Sequence, residues 1–453
     1  ILIRIAVAGS GEIFTMREFF ELEYASDPQI SPEGNQVIYV RNFADIMTDR
    51  RYSNLWIIDI DGSDHRPLTT GHRNDRSPRW SPDGSKLIYV SNKEGSSEVY
   101  IRWIDTGQTA RLTNVQYSPG NIAWAPDGKM IAFTMFVKSL PSKPAKMPEK
   151  PEGAKWADPP KVIDKMTYRA DGSGYQENGF THIFTLPEDG GTPRQITSGD
   201  YHHGGRLQWT TDGSKIIFSA NRRNDWEYEP ADSDLYEISV ADGSLRQITK
   251  RQGPDSSPVL SADGKKIAYT GYDDRYQGYQ VTHLYTMNRD GSSSKMITKS
   301  LDRSVGSPVW SGDGKGVYVS YNDKGNGKVA YATVKGKVKV LASNLGGTSI
   351  GRPYSSGSFT VTKDGDIAYT ISRPDRPADI AIVNAKGGTP KKITSLNDDL
   401  FGHKELAEVE EIWYKSSHDG RDIQGWITKP PGFDPKIKYP LILEIHGGPF
   451  ANY

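Results

Sequence analysis

Seven times along this chain an acidic residue and a glycine close a tight turn and open a short apolar strand. The acidic positions are Glu33, Asp83, Asp127, Asp212, Asp263, Asp313 and Asp364, at spacings of 50, 44, 85, 51, 50 and 51 residues. Arg79-Trp80-Ser81-Pro82-Asp83-Gly84, followed by Ser85-Lys86-Leu87-Ile88-Tyr89-Val90, shows the unit in full. Pro82 presets φ for the second turn position, Asp83 suits the third and Gly84 closes the turn. A second signal ends a strand just before each next unit: Leu68-Thr69, Leu112-Thr113, Ile196-Thr197, Ile248-Thr249, Ile297-Thr298, Val340-Leu341 and Ile393-Thr394. A third strand lies between the two signals, closed by turns such as Asp59-Ile60-Asp61-Gly62. Four short strands per unit of about 40–50 residues predict an all-β chain built as a seven-bladed β-propeller. One such sheet cannot bury both faces alone; radial stacking buries them and leaves only short strand edges exposed. Trp80, Trp124, Trp209 and Trp310 occupy equivalent places in different units, which predicts core between blades rather than a binding stripe.

The spacing of 85 marks an insertion over about 139–180, rich in proline and lysine. It reads equally as a solvated loop or as an arm over a neighbouring domain or subunit. Before the repeats, residues 1–25 form an N-terminal segment, with a short helix predicted over Thr15–Leu22 because Thr15 and Glu18 suit a capping box. The propeller pattern occupies 26–397. From 398 to 453 the pattern changes to a linker, a hairpin around Ser417-His418-Asp419-Gly420, a Lys429-Pro430-Pro431-Gly432 break and a buried strand predicted over Pro440–Ile445.

Composition removes several function classes. Lys+Arg and Asp+Glu are both 56, so no basic footprint for nucleic acid exists. There are no cysteines, which excludes disulfides, thiolate catalysis and cysteine-ligated zinc. No apolar run approaches the ~20 residues that span a bilayer. Ile1–Ala8 reads as an ordinary strand or the remnant of a secretory signal, so the compartment stays open between periplasmic or secreted and cytoplasmic. No metal or cofactor is expected. His202-His203 are adjacent and lack a third ligand, and Asp59–Asp64 lacks the distal glutamate of a calcium loop.

Two stretches could carry chemistry. His446-Gly447-Gly448-Pro449 follows a continuous apolar run, as a turn presenting a backbone N–H to a reacting carbonyl must. Asn224-Asp225-Trp226-Glu227-Tyr228-Glu229 sets two carboxylates among aromatics in a loop. A propeller followed by Leu443-Glu444-Ile445-His446-Gly447-Gly448-Pro449-Phe450 resembles the prolyl oligopeptidase family of serine peptidases, in its acylaminoacyl-peptidase and dipeptidyl-peptidase-like branch.

That resemblance implies an α/β-hydrolase domain, begun by 398–453, whose Ser, Asp and His nucleophile, acid and base would follow in that order. It implies that Gly448 supplies an oxyanion-hole N–H, with Gly447 shaping the turn, and that the segment around Phe19 and Phe20 packs near the hydrolase domain. It also implies that Glu227 and Glu229 bind a substrate's amino terminus. The partners it implies are a peptide substrate and the hydrolase domain of the same polypeptide; pairing with further copies of this chain stays open. The sequence reaches Tyr453 before any nucleophile motif. Gly347-Thr348-Ser349-Ile350-Gly351 has the right letters but Arg352-Pro353 where a helix is required. The 453 residues are therefore expected to select and gate substrates, releasing acyl-amino acids or dipeptides only with the rest of the enzyme. The alternative is a non-catalytic propeller similar to the TolB-type scaffolds, which has no use for the 408–453 motifs.

Overall fold

The computed structural model describes residues 12–140, 145, 148–158, 160–347, 356–445 and 447. Seven four-stranded antiparallel units follow one another over 24–67, 75–111, 120–195, 203–247, 255–296, 305–345 and 359–392; the first five are separate sheets, and Leu345 with Ile371 joins the last two into one eight-stranded sheet. The first strands touch from sheet to sheet: Tyr24–Ile30, Asp75–Trp80, Gly120–Trp124, His203–Trp209, Asp255–Leu260 and Val305–Trp310. The seventh sheet packs back on the first. Ala25, Ile30, Tyr39 and Ile58 share one apolar cluster with Ala368, Ile380 and Ile393, and Ile30 N–H donates to Thr360 Oγ1 at 3.1 Å. Among the described residues each unit is made of segments in chain order, and the first and last are joined by side chains with no strand exchanged between them.

The repeated turn holds itself together. Ser81 Oγ accepts Lys86 N–H at 2.9 Å and donates to Asp83 Oδ1 at 2.6 Å, which also accepts Ser85 N–H at 3.1 Å. Gly84 takes φ +73, where a side chain is strained, and donates its N–H to Ser81 O. The donors from Ser81 and Ser85 hold the Asp83 carboxyl down at about 2. Thr210 with Asp212, Ser261 with Asp263 and Ser311 with Asp313 repeat the arrangement.

The trailing threonine is a clip. In six sheets its hydroxyl accepts the third-strand N–H fourteen residues earlier, from Leu55, Val99, Ile183, Leu235, Leu284 and Ile380. In three of them it also donates to a buried carboxylate, Glu98, Asp234 or Asp379. The sixth sheet has Leu341 there, and its ladder runs on through a bulge. Its outer strand, Val338–Leu345, has eight residues, and Leu345 reaches Ile371 of the seventh sheet. The expectation of uniformly short edges fails at this sheet, because no hydroxyl takes the strand's N–H.

The repeat tryptophans lie between sheets, as their spacing predicts, and each also donates its indole N–H to the previous sheet. The acceptors are Gln29 O for Trp80, Arg79 O for Trp124, Ala123 O for Trp209 and Val259 O for Trp310, at 2.9–3.3 Å. A buried indole thus fills space and satisfies its polar tip together.

Chain order decides which loops share an end. First-to-second and third-to-fourth turns lie at one end of every antiparallel sheet; second-to-third loops and the connections between sheets lie at the other. That second end carries the described residues between the strands Met130–Lys138 and Gly179–Pro187, the loops 221–233 and 272–282, the entry at 12–23 and the exit at 393–445. The hairpin of Glu408–Lys415 and Asp422–Lys429 sits there too. Gln424 Nε2 donates to Lys324 O at 2.9 Å, and Trp426 lies over Gly325, in the second-to-third turn of the sixth sheet. A Cβ on Gly325, at φ +75, would come within 2.6 Å of the indole, so any side chain there is strained and has to push the ring aside.

Two predicted elements differ. Thr15–Leu22 contains only a 3-10 turn, Glu18–Glu21, with Phe19 exposed; two phenylalanines flanked by glutamates leave no stripe wide enough to bury a helix. The Glu18 carboxylate does accept Thr15 N–H, half of the expected capping box. Nearby Phe14, Leu22 and Tyr24 pack on Phe401 and Leu406, and Glu12–Ile13 pairs with Lys404–Glu405. Pro440–Ile445 is neither strand nor buried: Leu441 is 89% and Ile442 92% exposed. No described strand pairs with it, and an apolar run without neighbours has no ladder to join.

Candidate functional site

The loop 221–232 leaves the fourth sheet at the end just described, and its own polar groups make it rigid. Asn221 Nδ2 donates to Glu229 O at 2.7 Å. Asp225 O accepts the N–H groups of Tyr228 and Glu229, a single helical turn. Arg223 bridges Asp225 at 2.9 Å and the buried Asp232 at 2.7 Å. Asp232 Oδ1 in turn accepts Gly253 N–H at 2.9 Å, which ties the loop to the fifth sheet.

This frame presents Trp226, Glu227 and Glu229. Trp226 meets Phe180 and His202 edge-on, with ring centroids at 6.3 and 6.1 Å. Glu227 Oε1 accepts Met166 N–H from the insertion at 3.2 Å. Glu229 Oε1 accepts the Tyr276 hydroxyl at 3.2 Å, and Tyr276 Oη accepts Gln252 Nε2 at 2.7 Å. Tyr276 reaches across from the fifth sheet's loop at φ +54, a strained conformation for a bulky residue. Neither Glu227 nor Glu229 has an ion-pair partner among the described residues; their bonded donors are neutral.

The histidines behind the loop add no positive charge. Burial and the Arg222 guanidinium push His203 down to about 3, and it stacks on His182 at 5.1 Å. Burial also lowers His182 and His202. Beneath the loop, burial raises Asp234 to about 6, with Asp255 and Asp232 adding like charge. No group of three or more His, Asp or Glu among the described residues could hold a metal ion. The arrangement therefore offers two carboxylates, a three-ring aromatic cluster and neutral donors. Carboxylates in such a setting can accept charged N–H donors.

Sequence reasoning placed Glu227 and Glu229 in one loop, and they are there, each with its own neighbour rather than as a touching pair. Gly448 and His446 lie outside the described residues, as does Thr348–Gly351; Gly447 forms a bend. Tyr276, Gln252, Phe180 and Lys165 were missed. Phe180 lies in the strand Gly179–Pro187 and His202 just before the strand His203–Trp209, so no local pattern ties either to the 221–232 loop.

Two family models match: "TolB beta propeller domain" over residues 36–142 and "Dipeptidyl peptidase IV (DPP IV) N-terminal region" over 155–281. The uncharacterized peptidase YuxL of Bacillus subtilis is 27% identical over 459 residues, covering 98% of this chain and 67% of that protein. Dipeptidyl-peptidase 5 of Porphyromonas gingivalis is 25% identical over 465 residues, covering 98% and 64%. The chain thus spans about two thirds of the length of these curated relatives. Among solved structures, the acylaminoacyl peptidase of Pyrococcus horikoshii shares the fold with TM-score 0.69 at 18% identity, over 91% of this chain and 59% of that one.

Proposed function

Because this chain belongs to the prolyl oligopeptidase family of peptidases, we propose that it is the substrate-selecting part of a serine peptidase that releases dipeptides from free N-termini. In this reading 398–453 begins an α/β-hydrolase domain lying over the end of the sheets that carries the 221–232 loop. Docking of the 408–429 hairpin at that end supports the placement. Gly448 then contributes an oxyanion-hole N–H, and the nucleophile, acid and base come from the rest of the polypeptide. The hydrolase domain would also supply the cover for Leu441–Ile445.

One observation carries the choice of dipeptides over acyl-amino acids. Glu227 and Glu229 accept only neutral donors and form no ion pair among the described residues, on a loop braced from within. A blocked N-terminus would leave both carboxylates without the charge they are placed to receive. A free α-ammonium, with three N–H donors, satisfies them.

The test uses the complete polypeptide with a chromogenic dipeptide substrate and its N-acetyl counterpart. Cleavage of the free-amine substrate should be abolished by a serine-directed inhibitor. Glu227→Gln and Glu229→Gln should raise KM for that substrate by about 10–100-fold, from a charge-assisted bond of ~1.5–3 kcal/mol, with little change in kcat. Equal handling of free and acetylated substrates by the native enzyme would remove the assignment.

A further inference from the structure

The insertion enters the candidate site itself. Lys165 Nζ lies 4.2 Å from the centroid of Phe180, the ring that meets both His202 and Trp226. One residue on, Met166 N–H donates to Glu227 Oε1. A cation on an aromatic face beside an N–H donor on a carboxylate is the pair of contacts a peptide's α-ammonium would make. Burial and the Lys165 charge both lower the pKa of His202, so the ring cluster stays neutral around that cation.

The base of the insertion is fixed elsewhere. Glu177 accepts Tyr117 Oη at 2.7 Å and pairs with Lys138 at 3.2 Å, and Lys161 Nζ lies 3.9 Å from the Tyr175 ring centroid. Residues 165–166 can therefore leave the loop without disturbing the strand pair Met130–Lys138 and Gly179–Pro187. The Met166 contact is open to solvent: Met166 is 58% exposed and its bond to Glu227 is a surface one, while Lys165 is half-buried on the Phe180 ring. Solvent weakens such contacts, so a charged ligand can replace them.

We propose that Lys165–Met166 is an internal competitor that occupies the amino-group site until a peptide's α-ammonium displaces it. This rests on the reading of Glu227 as the carboxylate that receives that ammonium. The ligand class is an organic ammonium. The insertion sets the threshold affinity a peptide must reach, so residues 165 and 166 are specificity determinants that never touch the scissile bond.

The experiment compares Lys165→Met, which keeps length and loses charge, with Lys165→Arg in the complete polypeptide. Lys165→Met should lower KM for the free-amine dipeptide substrate by roughly three- to tenfold, with kcat unchanged, as expected for loss of one cation–π contact. Lys165→Arg should behave as the native chain. Hydrogen exchange over residues 160–168 should rise in Lys165→Met. It should rise equally when native enzyme binds a free-amine dipeptide, and not with the N-acetyl dipeptide. An unchanged KM in Lys165→Met, or native exchange indifferent to the free-amine dipeptide, overturns the competition. Glu227→Gln separates the two readings. If it raises KM while Lys165→Met is inert, only the internal competitor fails. If it leaves KM unchanged, the amino-group assignment fails and the competition with it.

Discussion

Thr113→Val removes one hydroxyl from the second sheet and puts a methyl in its place, so volume is nearly conserved. Thr113, Glu98 and Val99 are all buried, at 3%, 0% and 0% exposure. The hydroxyl accepts Val99 N–H at 2.9 Å, a bond worth about 1 kcal/mol net, and the substitution leaves that N–H buried without an acceptor. The hydroxyl also donates to Glu98 Oε2 at 2.6 Å, a charged bond worth about 1.5–3 kcal/mol. Glu98 keeps Ser96 Oγ at 2.8 Å and Val115 N–H at 3.2 Å, which limits the loss. The expected cost is about 2–4 kcal/mol. Thr69 is the internal control. It accepts Leu55 N–H at 2.8 Å, but Asn54 stands where Glu98 does and sends its amide to Ser53 O and Gly71 O. Thr69→Val should therefore cost only about 1–2 kcal/mol. A chain of this size need not unfold in two states, so the assay is the order of urea or thermal midpoints under identical conditions. Equal losses for the two variants, or a loss under about 0.5 kcal/mol for Thr113→Val, would refute the clip.

Asp234→Asn should flatten one part of the stability–pH curve. The folded pKa of Asp234 is raised to about 6, so its contribution is fully present below the unfolded value of about 3.9 and is lost as pH rises through 6. The variant should gain midpoint relative to the native chain at pH 8 compared with pH 4, and a constant difference across that range would contradict the burial argument. Gly325→Ala should loosen the 408–429 hairpin from the sixth sheet, because its Cβ would meet the Trp426 indole at 2.6 Å. Limited proteolysis in that hairpin should become faster while the sheet midpoint barely moves; unchanged cleavage would show that the indole can yield.

Local chemistry was legible wherever cause and effect sit within one turn. Ser81, Asp83, Gly84 and Lys86 satisfy each other inside six residues, so seven copies of a short pattern were enough to count seven four-stranded units, though not that the last two share one sheet. The trailing threonine was visible as a strand end but not as a clip, since its partners stand fourteen and fifteen residues back. Constant spacing does carry that information: the same separation in six sheets, and its loss at Leu341, mark the sheet whose edge runs long. The tryptophan acceptors lie 45–86 residues earlier, where periodicity fixes the sheet but not the carbonyl. Pro440–Ile445 failed for the converse reason: hydrophobicity reports a demand for burial, and the partner that meets it is a separate fact.

The candidate site shows the same division at a longer range. Glu227 and Glu229 were found because two acids among aromatics in a loop are unusual in a chain otherwise made of repeats. Their surroundings come from other stretches: Tyr276 and Gln252 from the fifth sheet, Phe180 and His202 from the third and fourth, and Lys165–Met166 from the insertion. None of these follows from the repeat pattern: all but Phe180, near the start of the strand Gly179–Pro187, lie in loops where the pattern lapses. They meet because antiparallel order puts every second-to-third loop at the same end of its sheet. Topology thus does for the site what turn chemistry does for the fold. A long insertion between second and third strands emerges at the same end of the sheets as the 221–232 loop, so the spacing of 85 already gives its end. Which of its lysines reaches the Phe180 ring is decided by packing alone.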